Sequence, residues 1–316
     1  MSDQRIVPCI WGSTDPQAMF DYYNSVFDDV HLISTSFYPT EGLLDFQKDM
    51  AGKVLTITFS VLGTTVLIVN GGPIFSPNPS VSFMVRFAAD DSFSPSLAEM
   101  DSVWAALSSE GSVLMPLDEY PFSSRYGWVQ DKYGVSWQLI ANDEPESSQS
   151  VDHPSGAQPS VERPVVMPVL MFSGVAANRA EEAMSYYGRV FLTTEVGEVS
   201  RYPSPEGTAT TDSIAYADCA FDGQWLAFMD SGTTDFTFSE GLSLIIDCKD
   251  QAEIDHYWQQ LSHVPESEQC GWCKDQFGVS WQVTPLDMDD LIAAPRAYAA
   301  MMEMKKIDLS LLEQLS

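Results

Sequence analysis

Apolar residues recur in a fixed succession of periods along the first 142 positions, punctuated by Gly, Pro, Asn and Asp. Alternation over 5–11 predicts a strand. Asp15-Pro16 caps a helix running to about Phe27, with proline in its first turn. Residues 30–38 read as a strand, and 53–60 with 64–70 as a hairpin around Leu62-Gly63. Gly71-Gly72-Pro73 breaks the pattern as a turn. A strand over 81–87, a helix over 95–108 and a short strand over 112–115 follow. The stretch closes on a hairpin, 126–130 with 135–140, around Tyr133-Gly134. The order is βαβββ twice.

The pattern then repeats. GWVQDKYGVSWQ at 127–138 returns as GWCKDQFGVSWQ at 271–282, and FDYYNSVF at 20–27 as MSYYGRVF at 184–191. Asp101, Trp104 and Leu107 return as Asp255, Trp258 and Leu261, and Pro8 as Pro168. The expected organisation is a first copy at 1–142, a Ser/Pro/acidic linker at 143–163, a second copy at 164–286 and a tail at 287–316. Paired βαβββ units imply α+β architecture: mixed sheets with helices on one face and a second face free to curl into a cavity.

Charge narrows the function. Fifteen Lys+Arg against 45 Asp+Glu give a net charge of −30. That excludes the clustered basic surface of a nucleic-acid binder and docking on an anionic membrane. A basic or neutral small-molecule ligand stays open. No apolar run approaches a membrane span, and 1–6 lack a signal-peptide core, so a cytoplasmic location is expected. Five cysteines form no disulfide framework. Cys270 and Cys273 fall on a predicted strand, where three-residue spacing points them to opposite faces, so a redox dithiol is not expected.

The strings CIW, YYNSVF, GKVLTITF, NGGP and LDEYPFSSRYGWVQDKYGVSWQL resemble PhnB-like proteins, often labelled 3-demethylubiquinone-9 3-methyltransferase-like. These belong to the vicinal oxygen chelate superfamily, with glyoxalase I, bleomycin-resistance proteins and extradiol dioxygenases. The resemblance implies tandem vicinal-oxygen-chelate domains, each of two βαβββ modules forming a curled mixed sheet with helices outside. It also implies a small-molecule binding protein or enzyme of unassigned reaction. Alternatives are non-catalytic sequestration of a toxic or aromatic compound, and a metal-dependent lyase or dioxygenase. The superfamily holds a divalent metal with His, Glu or Gln on its first, fourth, fifth and eighth strands. Those places match Pro8, Asn70, Ser82 and Gln138 in the first copy, and Pro168, Asp230, Ser243 and Gln282 in the second. Proline has no donor and Ser or Asn ligate zinc and iron poorly, so neither metal nor cofactor is expected. No G-x-G-x-x-G supports a methyl donor.

What remains at those places is polar. Asn70, Ser82 and Gln138 are candidates to converge on a ligand, or else to satisfy one another. The stretch 116–125, PLDEYPFSSR, reads as a lid, with Tyr120 as hydrogen-bond donor and Arg125 as anion holder, or with Arg125 paired to a neighbouring acid. The second copy is ten residues shorter here, Leu107 to Asp131 spanning 24 steps and Leu261 to Asp275 spanning 14. That places the expected site in the first copy. In the tail, Pro295 separates two helices, and Tyr298, Met301, Met302 and Met304 crowd one side of the second. Such a face packs on its own chain or on a second subunit, which makes a homodimer through the tail the expected assembly.

Overall fold

The computed structural model describes residues 4–13, 15–88, 95–142 and 161–316. The first βαβββ unit comprises β1 (Ile6–Gly12), α1 (Pro16–Val26), β2 (Val30–Phe37), β3 (Val54–Val61) and β4 (Thr64–Asn70). The second comprises β5 (Val81–Ala88), α2 (Leu97–Ser108), β6 (Ser112–Tyr120), β7 (Ser123–Gln130) and β8 (Ser136–Asn142). The third is β9 (Val166–Phe172), α3 (Ala180–Val190), β10 (Thr194–Arg201), β11 (Ile214–Phe221) and β12 (Gln224–Asp230). The fourth is β13 (Leu242–Cys248), α4 (Gln251–Leu261), β14 (Trp272–Lys274) and β15 (Ser280–Pro285). Helices α5 (Met288–Leu291), α6 (Pro295–Glu303) and α7 (Leu309–Leu315) form the tail.

Local signals set the helix starts. The Asp15 side chain accepts from Gln17 N ahead of α1, and Ser96 with Glu99 makes a capping box on α2. Leu62 and Gly63 take positive φ in the β3–β4 turn, as do Asp222 and Gly223 at the same place in the third unit. This matches turn for turn and aligns β3–β4 with β11–β12.

The strands form two mixed sheets. Sheet one runs β14-β15-β13-β1-β4-β3-β2, and sheet two β10-β11-β12-β9-β5-β8-β7-β6. Each sheet takes one unit from each repeat. Antiparallel pairing of β1 with β13 joins the first unit to the fourth, with Cys9 opposite Ser243. Pairing of β5 with β9 joins the second to the third, with Ser82 opposite Val169.

Each sheet has a helix face and an open face, set by strand alternation. Ile6, Ile10, Ile57, Phe59 and Ile68 join the main core together with Met19 and Tyr23 of α1. Val7, Cys9 and Ile245, with half-buried Leu67 and Val69, form a separate cluster on the other face. Within each repeat the helices tie one sheet to the other. Tyr22 hydroxyl donates to the Ala106 carbonyl across α1 and α2, at 3.3 Å. Tyr23 and Trp137 Nε1 both donate to Oδ2 of buried Asp131, each at 3.0 Å, while Oδ1 accepts from Tyr133 N and Val135 N. Asp275 repeats the arrangement with Tyr187, Trp281, Phe277 N and Val279 N. The residues that make the internal repeat conspicuous are thus the joints of the fold.

The stretch 116–125 is not a lid. β6 extends to Tyr120 and turns straight into β7, so this segment is an edge hairpin of sheet two. Register shifts along β6 let alternation fade, which hides the strand from a pattern reading. Cys270 departs from the expected strand as well: its φ of 51° places it in a turn before β14, against Met302 Sδ at 3.7 Å. The tail breaks at Pro295 and folds onto its own chain. Tyr298, Met301, Ile307 and Leu312 are buried in the main core, and Gln47 donates to the Tyr298 hydroxyl at 3.0 Å. Among the described residues no helix is long and apolar enough to cross a membrane. Of the expected linker at 143–163, only 161–163 fall among the described residues.

Candidate functional site on the open face of sheet one

Alternation corrects the strand-by-strand matching. Pro8 and Pro168 share faces with Ile6, Ile10 and Leu170, and so point toward the helices. Asn70 lies on the face of Ile68, where its amide donates to the Val54 carbonyl at 2.9 Å. Asp230 likewise turns to the helix side and accepts from Ala180 N and Ile214 N. The open-face positions are one residue away on the first and fourth strands, Cys9 and Val69 in sheet one and Val169 and Met229 in sheet two, while Ser243 and Gln282, and Ser82 and Gln138, do face the open side as expected.

Ser82 and Gln138 are brought together but close on themselves. Gln138 Nε2 donates to Ser82 Oγ at 2.8 Å, its Oε1 accepts from the Tyr126 hydroxyl at 2.8 Å, and both residues are fully buried. Asn70 is on the other sheet. Tyr120 donates to the Pro116 carbonyl at 3.0 Å and Arg125 pairs with Asp101, both on the exposed hairpin. The five residues therefore form no single cluster.

The rest of sheet two's open face is filled. Met84, Met167, Val169, Ala220, Trp225 and Ala227 make a buried cluster. Arg163 lies over the Trp225 ring at 4.6 Å and grips Asp218 with two bonds, of 2.6 and 3.0 Å. Sheet one carries Thr56, Thr58 and Thr65 where the aligned β11–β12 hairpin carries Tyr216, Asp218 and Trp225. Smaller side chains line that face, and there Thr56 Oγ1 donates to Asp289 of α5 at 3.4 Å.

Other polar groups on it are left open. In sheet two, Trp128 Nε1 donates to Ser136 Oγ at 2.6 Å. In sheet one the repeat equivalents are Trp272 and Ser280. Trp272 is turned edge-on to Trp11, with ring centroids 5.7 Å apart, and the buried Ser280 hydroxyl has no partner. Gln282 Nε2 donates to Ser243 Oγ at 3.0 Å, but Tyr126 is replaced by Cys270, so Oε1 lacks the hydroxyl that Gln138 holds. Trp11 also meets Phe75 at 5.0 Å and donates to the Gly72 carbonyl at 2.7 Å. Its indole occupies the space that a Cβ on Gly71 would need, which explains the first glycine of NGGP; Gly72 supplies the positive φ.

Similarity in sequence adds to this geometry. The family model described as 3-demethylubiquinone-9 3-methyltransferase matches residues 4–140 and again 164–284. The chain belongs to this family. A putative 3-demethylubiquinone-9 3-methyltransferase, PhnB protein, from Bacillus cereus is 30% identical, over 44% of this chain and 99% of that one, with a TM-score of 0.37. Glyoxalase I from Zea mays is 10% identical over 94% of this chain and 97% of its own, with a TM-score of 0.52, which shows a shared fold. No curated relative matches the chain. This member of the 3-demethylubiquinone-9 3-methyltransferase family thus has a fold shared with glyoxalase I.

The superfamily's divalent metal does not fit the open-face donors. Among the described residues no three His, Cys, Asp or Glu side chains converge. Burial pushes the Cys9 thiol up to about 12, so it stays protonated beside Gln282 and Ser243. The family's methyl donor finds no cradle at Gly71-Gly72 either, because the chain runs on to β5 rather than into a helix N-terminus.

Proposed function

We propose that this family member binds a small ring-bearing ligand on the open face of sheet one, in the cytoplasm. The reading rests on the orphaned Ser280 hydroxyl. A buried hydroxyl without a partner costs about 1–3 kcal/mol. Its counterpart Ser136 is satisfied by Trp128 Nε1, so this serine's deficit is not shared by its repeat equivalent. A ligand oxygen or nitrogen reaching Ser280 and Gln282 Oε1 relieves it. Trp11, Phe75 and Trp272 supply aromatic surface beside it. Binding without covalent chemistry is favoured, since the thiol on this face is held protonated. Five unpaired cysteines suit a reducing compartment.

Thermal shift against hydroxylated and quinoid aromatic compounds tests the reading, because stabilisation grows with the logarithm of ligand over Kd. A hit should be lost in Gln282→Ala and Trp272→Ala. Loss in Tyr120→Phe or Arg125→Ala instead moves the site to the hairpin. Unchanged binding in Gln282→Ala rejects it.

A further inference from the structure

We propose that β2 pairs antiparallel with the β2 of a second copy of this chain, so that sheet one runs on through two molecules. The inference is independent of the ligand reading. The edge strands are β14 and β2 in sheet one, β10 and β6 in sheet two. An exposed edge offers a row of unpaired N–H and C=O groups, which proteins blunt with charge, proline or a covering segment. The outer side of β14 is covered: His263 N donates to the Lys274 carbonyl at 2.8 Å, and Gln269 bridges Trp272. β6 carries Pro116, Asp118 and Glu119, and β10 carries Glu195, Glu198 and Arg201. β2 reads VHLISTSF, with no Pro, Asp, Glu, Lys or Arg. Its register shifts against β3, after Leu32 and after Ser36, do not hide it. Leu32, Ile33 and Phe37 are 53, 54 and 58% exposed.

Charge identifies the occupant. The strand starts just after Asp28 and Asp29 and ends beside Lys53, whose carbonyl accepts from Tyr38 N at 2.9 Å. Lys53 is exposed, and among the described residues no carboxylate pairs with it. Two β2 strands laid antiparallel about Ile33 and Ser34 set Val30 opposite Phe37 and Leu32 opposite Thr35. Each copy's Asp29 then lies level with the other's Tyr38, one strand, or about 5 Å, from Lys53. The acidic end of one strand meets the basic end of the other, twice over. Parallel pairing would instead set Asp29 against Asp29. Overall charge favours the same place. At −30 two copies repel, and contact costs least where acids are missing. Residues 30–40, VHLISTSFYPT, are such a stretch. The apolar face of the tail is already covered by its own chain, with Tyr298, Met301, Ile307 and Leu312 buried.

Sedimentation velocity of the full chain over a concentration series tests this. One strand on each side makes a contact at the small end of specific interfaces, so a dimer with Kd of about 10–100 μM is expected. Ile33→Lys sets two like charges at the two-fold axis and should weaken the dimer about tenfold or more with Tm unchanged, because the position is exposed. Ser34→Lys serves the same purpose if that variant misfolds. Asp29→Lys should also weaken the dimer, although it reduces the overall negative charge. Lys53→Glu should weaken it too, and the two reversals together should restore it. A monomer at every concentration, a dimer untouched by Ile33→Lys, or one strengthened by Asp29→Lys overturns the proposal. A dimer lost on deleting 296–316 and kept in Ile33→Lys overturns it as well and gives the contact to the tail.

Discussion

The Tyr23 hydroxyl reaches Oδ2 of Asp131 at 3.0 Å, across 108 residues and from one sheet's helix to the other sheet's hairpin. Hydrogen bonds to a charged group are worth about 1.5–3 kcal/mol, so Tyr23→Phe should lower unfolding free energy by roughly that amount. Asp131→Ala strands the Tyr23 and Trp137 donors and two backbone N–H groups, and should cost more than about 3 kcal/mol. Denaturant titration of both variants, beside Tyr187→Phe, checks this. A neutral Asp131→Ala would remove the joint.

Arg163 offers a second test. Asp218 is 1% exposed and depends on that guanidinium. Removing one partner of a buried pair leaves an uncompensated charge, at about 3–5 kcal/mol. Arg163→Ala should therefore lower Tm strongly, and Arg163→Ala with Asp218→Leu should recover part of the loss. If the double variant is no more stable than the single one, the pair is not what holds 161–163 in place.

Stability should depend on pH through Asp247. Its folded pKa of about 7 lies above the unfolded value of about 3.9. The folded state therefore holds the proton more tightly. The stabilisation is whole below about pH 4 and is lost as pH rises toward 7. Melting curves between pH 5 and 8 should show a decline that Asp247→Asn flattens. A parallel decline in the variant would assign the effect to other groups.

The tail supplies a test of assembly. Tyr298, Ile307 and Leu312 are buried against the chain's own core, so deleting 296–316 should lower Tm. Sedimentation of the full chain and the deletion tests the proposed homodimer: a dimer that becomes a monomer supports it, and a monomer in both cases ends it.

Much of this fold is legible in the chain. Asp131-x-Tyr133-Gly134 and Asp275-x-Phe277-Gly278 announce their turns, and period separates α1 from β2. Pairing of β1 with β13 is not legible, because alternation tells which face a strand buries and not which neighbour it takes. The same limit put Pro8 at a place held by Cys9. The site was legible only as a difference. Cys270 stands where Tyr126 stands, and that exchange frees Gln282; the shorter second copy looked like a lost pocket, though the missing length belonged to an edge hairpin.

Because β1 pairs with β13 and β5 with β9, neither repeat owns a finished sheet. Excising one would bare two strand edges on the survivor, each a template for another chain. The duplication is therefore binding on both halves: the chain is its own dimer, and the two copies are free to diverge in chemistry only while they stay faithful in register.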